Sequence, residues 1–137
     1  MPCNLHIVKT NDFVRLDAQG KLNIEQSRKV LSGLAKTCVD RGIDCALLDI
    51  RDMRAGGMTL ADLYSLASAF ADMGFRETQR LAILHPYSGG ERAEFFAMCA
   101  ANRGWNVRAF DNFEDAIHWF TSADPVAHPS SVGESPS

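Results

Sequence analysis

The spacing of apolar positions changes several times along this chain, and each change marks an element. Leu5 to Lys9 and Phe13 to Asp17 are strand-forming runs on either side of Thr10-Asn11-Asp12, a turn-forming cluster, and predict a hairpin. Gln19-Gly20-Lys21 closes its second strand. From Ile24 to Arg41 the pattern becomes helical: Ser27, Val30, Leu31, Leu34, Ala35 and Cys38 recur at three- and four-residue steps and leave one stripe. Asn23 with Gln26 three residues on is a capping signal, Gly42 supplies a left-handed stop, and Arg41 opposes the helix dipole.

Cys45 to Ile50 is a continuous apolar run of strand length that carries Asp49 near its end. Continuous rather than alternating hydrophobicity predicts a central strand covered on both faces. A second helix is expected over Leu60 to Met73, with Leu60, Leu63, Leu66, Ala67 and Phe70 on one face. Thr59 and Asp62 open it as T-x-x-D, and Gly74 ends it. Leu81 to Leu84 is another short buried strand. A third helix runs from Glu91 to Arg103, a last strand from Asn106 to Phe110, and a last helix from Phe113 to Phe120. The helix-ending glycines Gly42, Gly74 and Gly104 fall roughly 30 residues apart, the rhythm of successive strand–helix units. The expectation is a mixed, mainly parallel α/β sheet with an N-terminal hairpin at its side and about four helices. After Ser122 the chain turns to Ser, Pro, Ala, Gly and Val. Such a segment buries too little apolar surface to offset an ordering cost of about 1–2 kcal/mol per residue. One domain over residues 1–122 and a disordered tail over 123–137 follow.

Bulk properties narrow the picture. A chain of 137 residues suits one domain, and a net charge of −3 leaves no general basic face for neutralising nucleic-acid phosphates. Cys3, Cys38, Cys45 and Cys99 form no CxxC pair and have no histidine at ligand spacing, which reads as reduced thiols rather than a zinc site or disulfide framework. The first residues lack the charged start and apolar run of a signal peptide, and no stretch reaches the roughly 20 apolar residues of a membrane span. A cytoplasmic setting is expected, with no metal or cofactor.

The order of elements, together with Leu47-Leu48-Asp49-Ile50, Leu81-Ala82-Ile83-Leu84, Val107-Arg108-Ala109-Phe110 and Glu114-Asp115-Ala116-Ile117-His118-Trp119-Phe120, resembles the SpoIIAA-like branch of the STAS superfamily over about residues 5–122. The resemblance implies a small non-enzymatic domain with signalling protein partners, and a fold shared with lipid carriers. Phosphorylatable antagonists of that family carry an Asp-Ser-Ser-Gly-like signature between the third strand and the second helix. Here the stretch runs from Asp49 to Thr59 without the serine, and Thr59 alone sits at the matching helix start.

Candidate chemistry gathers at the carboxyl ends of the parallel strands, where open α/β sheets collect ligands. One loop supplies Asp49, Arg51, Asp52 and Arg54; the next supplies His85, Tyr87, Ser88, Gly89 and Gly90; Asp111 follows the last strand. Thr59 is both a helix cap and the candidate phosphorylation site. The Gly56-Gly57 and Gly89-Gly90 pairs lack the Lys-Ser or Lys-Thr of a phosphate-binding loop. His85 beside Asp49 or Asp52 is an acid–base pair only in outline, since Ser88 stands in no nucleophile motif. Asp49, Arg51, Asp52, Thr59, His85 and Ser88 are therefore the candidate binding residues, with none catalytic. The apolar excess at Leu60, Tyr64, Met73, Phe75, Phe95, Phe96, Met98 and Cys99 reads as core, as a patch for self-association, or as the wall of an acyl-type site. The favoured function is a regulatory domain acting through protein contacts, possible homodimer included; the alternative is a carrier or sensor of a small apolar, lipid-like ligand.

Overall fold

The computed structural model describes residues 3–8, 13–21, 23–53, 58–87 and 89–122. The predicted turn at Thr10-Asn11-Asp12, residues Arg54 to Gly57, Ser88 and the segment 123–137 lie outside the described residues. In chain order the elements are β1 (Cys3–Val8), β2 (Phe13–Gly20), α1 (Ile24–Arg41), β3 (Cys45–Met53), α2 (Leu60–Ser68), α3 (Phe70–Met73), β4 (Arg80–Leu84), α4 (Glu91–Asn102), β5 (Asn106–Phe110) and α5 (Phe113–Thr121). They form a five-stranded sheet in the order β1-β2-β3-β4-β5. β1 pairs antiparallel with β2, from Cys3↔Ala18 to Val8↔Phe13, and the other three pairings are parallel. This is the mainly parallel sheet with a hairpin at its side that the hydrophobic pattern predicts.

Alternation along the strands divides the core in two. Val14, Leu16, Ala46, Leu48, Leu81 and Ile83 point to one face, where they meet α1, α2, α3 and α4. Phe13, Leu47, Ala82 and Leu84 point to the other and meet Ala116, Trp119 and Phe120 of α5. Leu47, Ala82 and Leu84 are buried completely, as expected of strands covered on both faces. Among the described residues α5 is the one helix on that face.

The helix boundaries follow their caps. The Asn23 side chain accepts from the Gln26 amide at 2.8 Å while the Gln26 side chain accepts from the Asn23 amide at 3.3 Å. Gly42 then ends α1 at φ +66°, a conformation that costs a β-carbon-bearing residue energy.

Two expectations are corrected in detail. The helix expected over Leu60 to Met73 breaks at Ala69 into α2 and the single turn α3. At the break Ser68 Oγ donates to the Tyr64 carbonyl at 2.9 Å, competing with the backbone for that acceptor, and the Ala69 amide takes the tighter bond to the Leu66 carbonyl. β3 also continues past Ile50 to Met53: β2 shifts register between Asp17 and Gln19 and so keeps pace with it. Arg51 and Asp52, read as loop residues, are strand residues.

Candidate functional site

The strand order never reverses, so the sheet has no topological switch point and opens no crevice of the doubly wound kind at its carboxyl edge. Side chains from that edge consequently separate by face.

Asp49 projects to the α5 face, in line with Leu47, and is only 7% exposed. One of its oxygens accepts from Arg15 Nη2 and Arg51 Nη2, each at 2.8 Å; the other accepts from the Arg51 amide at 3.0 Å and Arg51 Nε at 3.1 Å. Arg15 Nε also donates to Asp17 at 2.8 Å, and its guanidinium lies 5.4 Å from the centre of the Phe113 ring. The result is a row Asp17–Arg15–Asp49–Arg51 on the α5 face. Burial pushes the Asp49 carboxyl up, but the hydrogen bonds and charge from Arg51, with the charge of Arg15, outweigh it and hold the carboxyl below its ordinary value. The bond to Asp49 is the main reason the Arg51 guanidinium is held more firmly protonated than usual. With its lone pairs committed to arginines on β2 and β3, Asp49 acts as a clamp between strands.

Thr59 sits across the sheet at the start of α2, exposed. Its hydroxyl accepts from the Asp62 amide at 3.1 Å, and the Asp62 carboxylate accepts from the Thr59 amide at 3.0 Å. Arg92, from the first turn of α4, donates to the neighbouring Met58 carbonyl. Beyond the cap, Leu60 and Tyr64 are each 53% exposed, and the Arg103 guanidinium lies 4.9 Å from the centre of the Tyr64 ring. Tyr87, in the loop before α4, is 89% exposed.

His85 belongs to the interior, with 4% exposure, rather than to solvent. Its amide donates to the Phe110 carbonyl at 2.8 Å, and Nδ1 donates to the Pro86 carbonyl at 2.7 Å. Nε2 stands 3.7 Å from the Glu94 carboxylate, beyond hydrogen-bond length. The ring packs against Gly90: a β-carbon there would come within 2.2 Å of Nδ1.

The sheet thus separates the candidates. Asp49 and Arg51 join Arg15 and Asp17 on one face, while Thr59 and His85 lie on the other. Among the described residues no hydrogen bond or ion pair links Asp49, Arg51 or Asp52 to Thr59 or His85; Asp52 is exposed, and Ser88 lies outside the described residues. Arg15, Asp17 and Arg92 were missing from the sequence-based set. Arg15 and Asp17 follow Phe13 at two-residue steps, the signal that places all three on one face.

Other chemistry is sparse. Burial, then the nearby Cys45 and Asp44, push the Cys38 thiol up to about 12, which makes it unreactive. Among the described residues no three histidine, cysteine or carboxylate groups stand together as a metal site, and no helix is long and apolar enough to cross a membrane. A depression lined by Phe70, Phe75, Leu81 and Trp105 at the amino ends of β4 and β5 encloses about 160 Å³, open solvent included. Ligand pockets begin at about 300 Å³.

No family model and no curated protein sequence matches the chain. Its likeness is to solved structures. An uncharacterized protein with a SpoIIAA-like fold from Shewanella loihica is 22% identical, with a TM-score of 0.56 over 86% of this chain and 93% of the other. An anti-sigma factor antagonist from Mycobacterium paratuberculosis gives 0.57 at 8% identity, over 88% and 95%. The anti-sigma factor antagonist SpoIIAA, in its unphosphorylated form, gives 0.50 at 15% identity, over 85% and 96%. These likenesses, each over 85% or more of this chain, show that it has a SpoIIAA-like fold.

Proposed function

We propose that this chain is a non-enzymatic regulatory domain that binds a protein partner through the surface at the start of α2. The observation that carries this reading is the exposure of Leu60 and Tyr64 directly after the Thr59 cap, with Tyr87 exposed in the loop before α4. Exposed aromatic and large aliphatic side chains beside polar groups are the material of protein interfaces, and tyrosine is enriched among the residues that dominate their energy. The fold, shared with anti-sigma factor antagonists, supports the same reading.

Thr59 is the proposed control point. A phosphate on its hydroxyl would face the free amides of α2 and the Arg92 guanidinium, both favourable, and the Asp62 carboxylate, which is not. Phosphorylation would therefore displace Asp62 from the cap and alter the surface that Leu60 and Tyr64 share. The carrier reading draws no support from the depression described above, which is too small and lies at the opposite end of the sheet.

Native mass spectrometry of the protein purified from its own host tests the proposal. A stoichiometric protein partner is expected, whose affinity drops tenfold or more with Tyr64→Glu. A co-purifying lipid, or a partner bound equally well by Tyr64→Glu, would overturn it. Phosphate at Thr59 and a changed partner profile for Thr59→Glu are the expected signs of the switch; absence of both rejects it.

A further inference from the structure

The apolar excess between Leu60 and Cys99 divides in the structure. Met73, Phe75, Phe96 and Cys99 are core, whereas Met98 of α4 is 51% exposed and Phe95 is only half-buried. Phe95, Met98 and Ala101 recur at three-residue steps and form a line along the outer side of α4, while Ala93, Phe96, Ala97 and Ala100 face the core. Packing against the sheet requires only the inner stripe, and the opposite face of a surface helix is ordinarily charged.

The two ends of this line carry opposite charge. Glu91 and Glu94 stand exposed at its amino end, the Glu94 side chain at 65%. Arg103, the C-cap, stands exposed at the other end; its guanidinium lies over the Tyr64 ring and, among the described residues, meets no carboxylate. Arg92 is turned towards α2, where it donates to the Met58 carbonyl. Such a face is complementary to itself across a two-fold axis through Met98. The two helices then run antiparallel: Met98 meets Met98, Phe95 comes against Ala101, and position 94 falls opposite 102, beside Arg103.

We propose that a second copy of this chain docks on α4 in this antiparallel arrangement, with Met98 at the two-fold axis and Arg103 of each copy paired with Glu94 of the other. A single helix pair covers less than the roughly 1,200 Å² that stable interfaces bury, so the dimer is weak and forms only at high concentration. The contact does not require the partner proposed for the start of α2.

Sedimentation equilibrium of the purified full chain, from about 10 µM to about 1 mM, spans the range of weak association and tests this. A monomer is expected at the low end and a dimer at the high end. Met98→Glu sets two carboxylates against each other at the axis, and Arg103→Glu sets one against Glu94. Each is expected to raise the Kd by about tenfold or more, and Glu94→Arg combined with Arg103→Glu should bring it back to within about threefold of wild type. Lys29→Glu, exposed on α1, changes net charge as much as Arg103→Glu does and should leave the Kd unaltered. Far-UV circular dichroism checks each fold, and if Met98→Glu or Arg103→Glu unfolds, the other decides. A monomer throughout, a dimer indifferent to Met98→Glu, no recovery in the reversed pair, or an equal effect of Lys29→Glu would overturn the proposal. The partner reading fails separately, through Tyr64→Glu, because a monomeric chain can still bind a partner.

Discussion

At Asp49 donors from two strands converge on one buried carboxylate. Asp49→Asn keeps the shape but removes the charge that holds Arg15 and Arg51. Hydrogen bonds to charged groups contribute about 1.5–3 kcal/mol, and the partial exposure of Arg51 argues for the lower half, so a loss of about 2 kcal/mol in urea unfolding is expected. The sign with pH follows from the lowered carboxyl. The wild-type advantage is full above the unfolded value of about 3.9 and disappears as pH falls through the folded value; Asp49→Asn should show no such loss. Gly90 makes a different prediction. Its α-carbon supports the His85 ring, so Gly90→Ala forces the ring aside at a cost of about 1–3 kcal/mol. In the His85→Ala background the same change should cost much less, and equal costs in the two backgrounds would refute the contact. The residue types at Asp49 and His85 were legible as polar groups in apolar surroundings. Their partners were not, because Arg15 reaches Asp49 only through a strand pairing 34 positions apart.

Elements were the most legible scale, because their ends carry local chemistry. Asn23 with Gln26, and Thr59 with Asp62, announce helix starts in sequence and make reciprocal caps in the structure. Thr59→Ala should lower stability by about 1 kcal/mol, read as a shift in the urea midpoint with an unchanged slope. Residues 60–73 show where local pattern misleads. Phe70 and Met73 keep helical spacing with Leu63 and Leu66, so nothing in periodicity marks the break at Ala69. The cause is the Ser68 hydroxyl on the Tyr64 carbonyl, together with the stacking of Phe70 on Phe75 at 4.5 Å and its tilted contacts with the rings of Phe96 and Trp105, which are tertiary contacts. β3 misled in the other direction: its apolar run ends at Ile50, yet pairing with β2 carries Arg51, Asp52 and Met53 onward as strand.

For the whole molecule, the alternation of strands and helices specified the sheet, but not how its edge is divided. Loop residues that lie near one another in sequence were read as one convergent site; an unreversed strand order and the alternation of side chains put Asp49 and Arg51 on one face and Thr59 and His85 on the other. The surface proposed for function is the start of α2, where Thr59 is a structural cap and Leu60 and Tyr64 are exposed. Site-specific photo-crosslinking in the native host tests that claim most directly, with a benzophenone amino acid placed at Tyr64 and, as a control, at the exposed Lys29 of α1. The account predicts one dominant protein adduct from Tyr64, lost in Leu60→Glu and absent from Lys29. No adduct at Tyr64, or the same adducts from both positions, would contradict it.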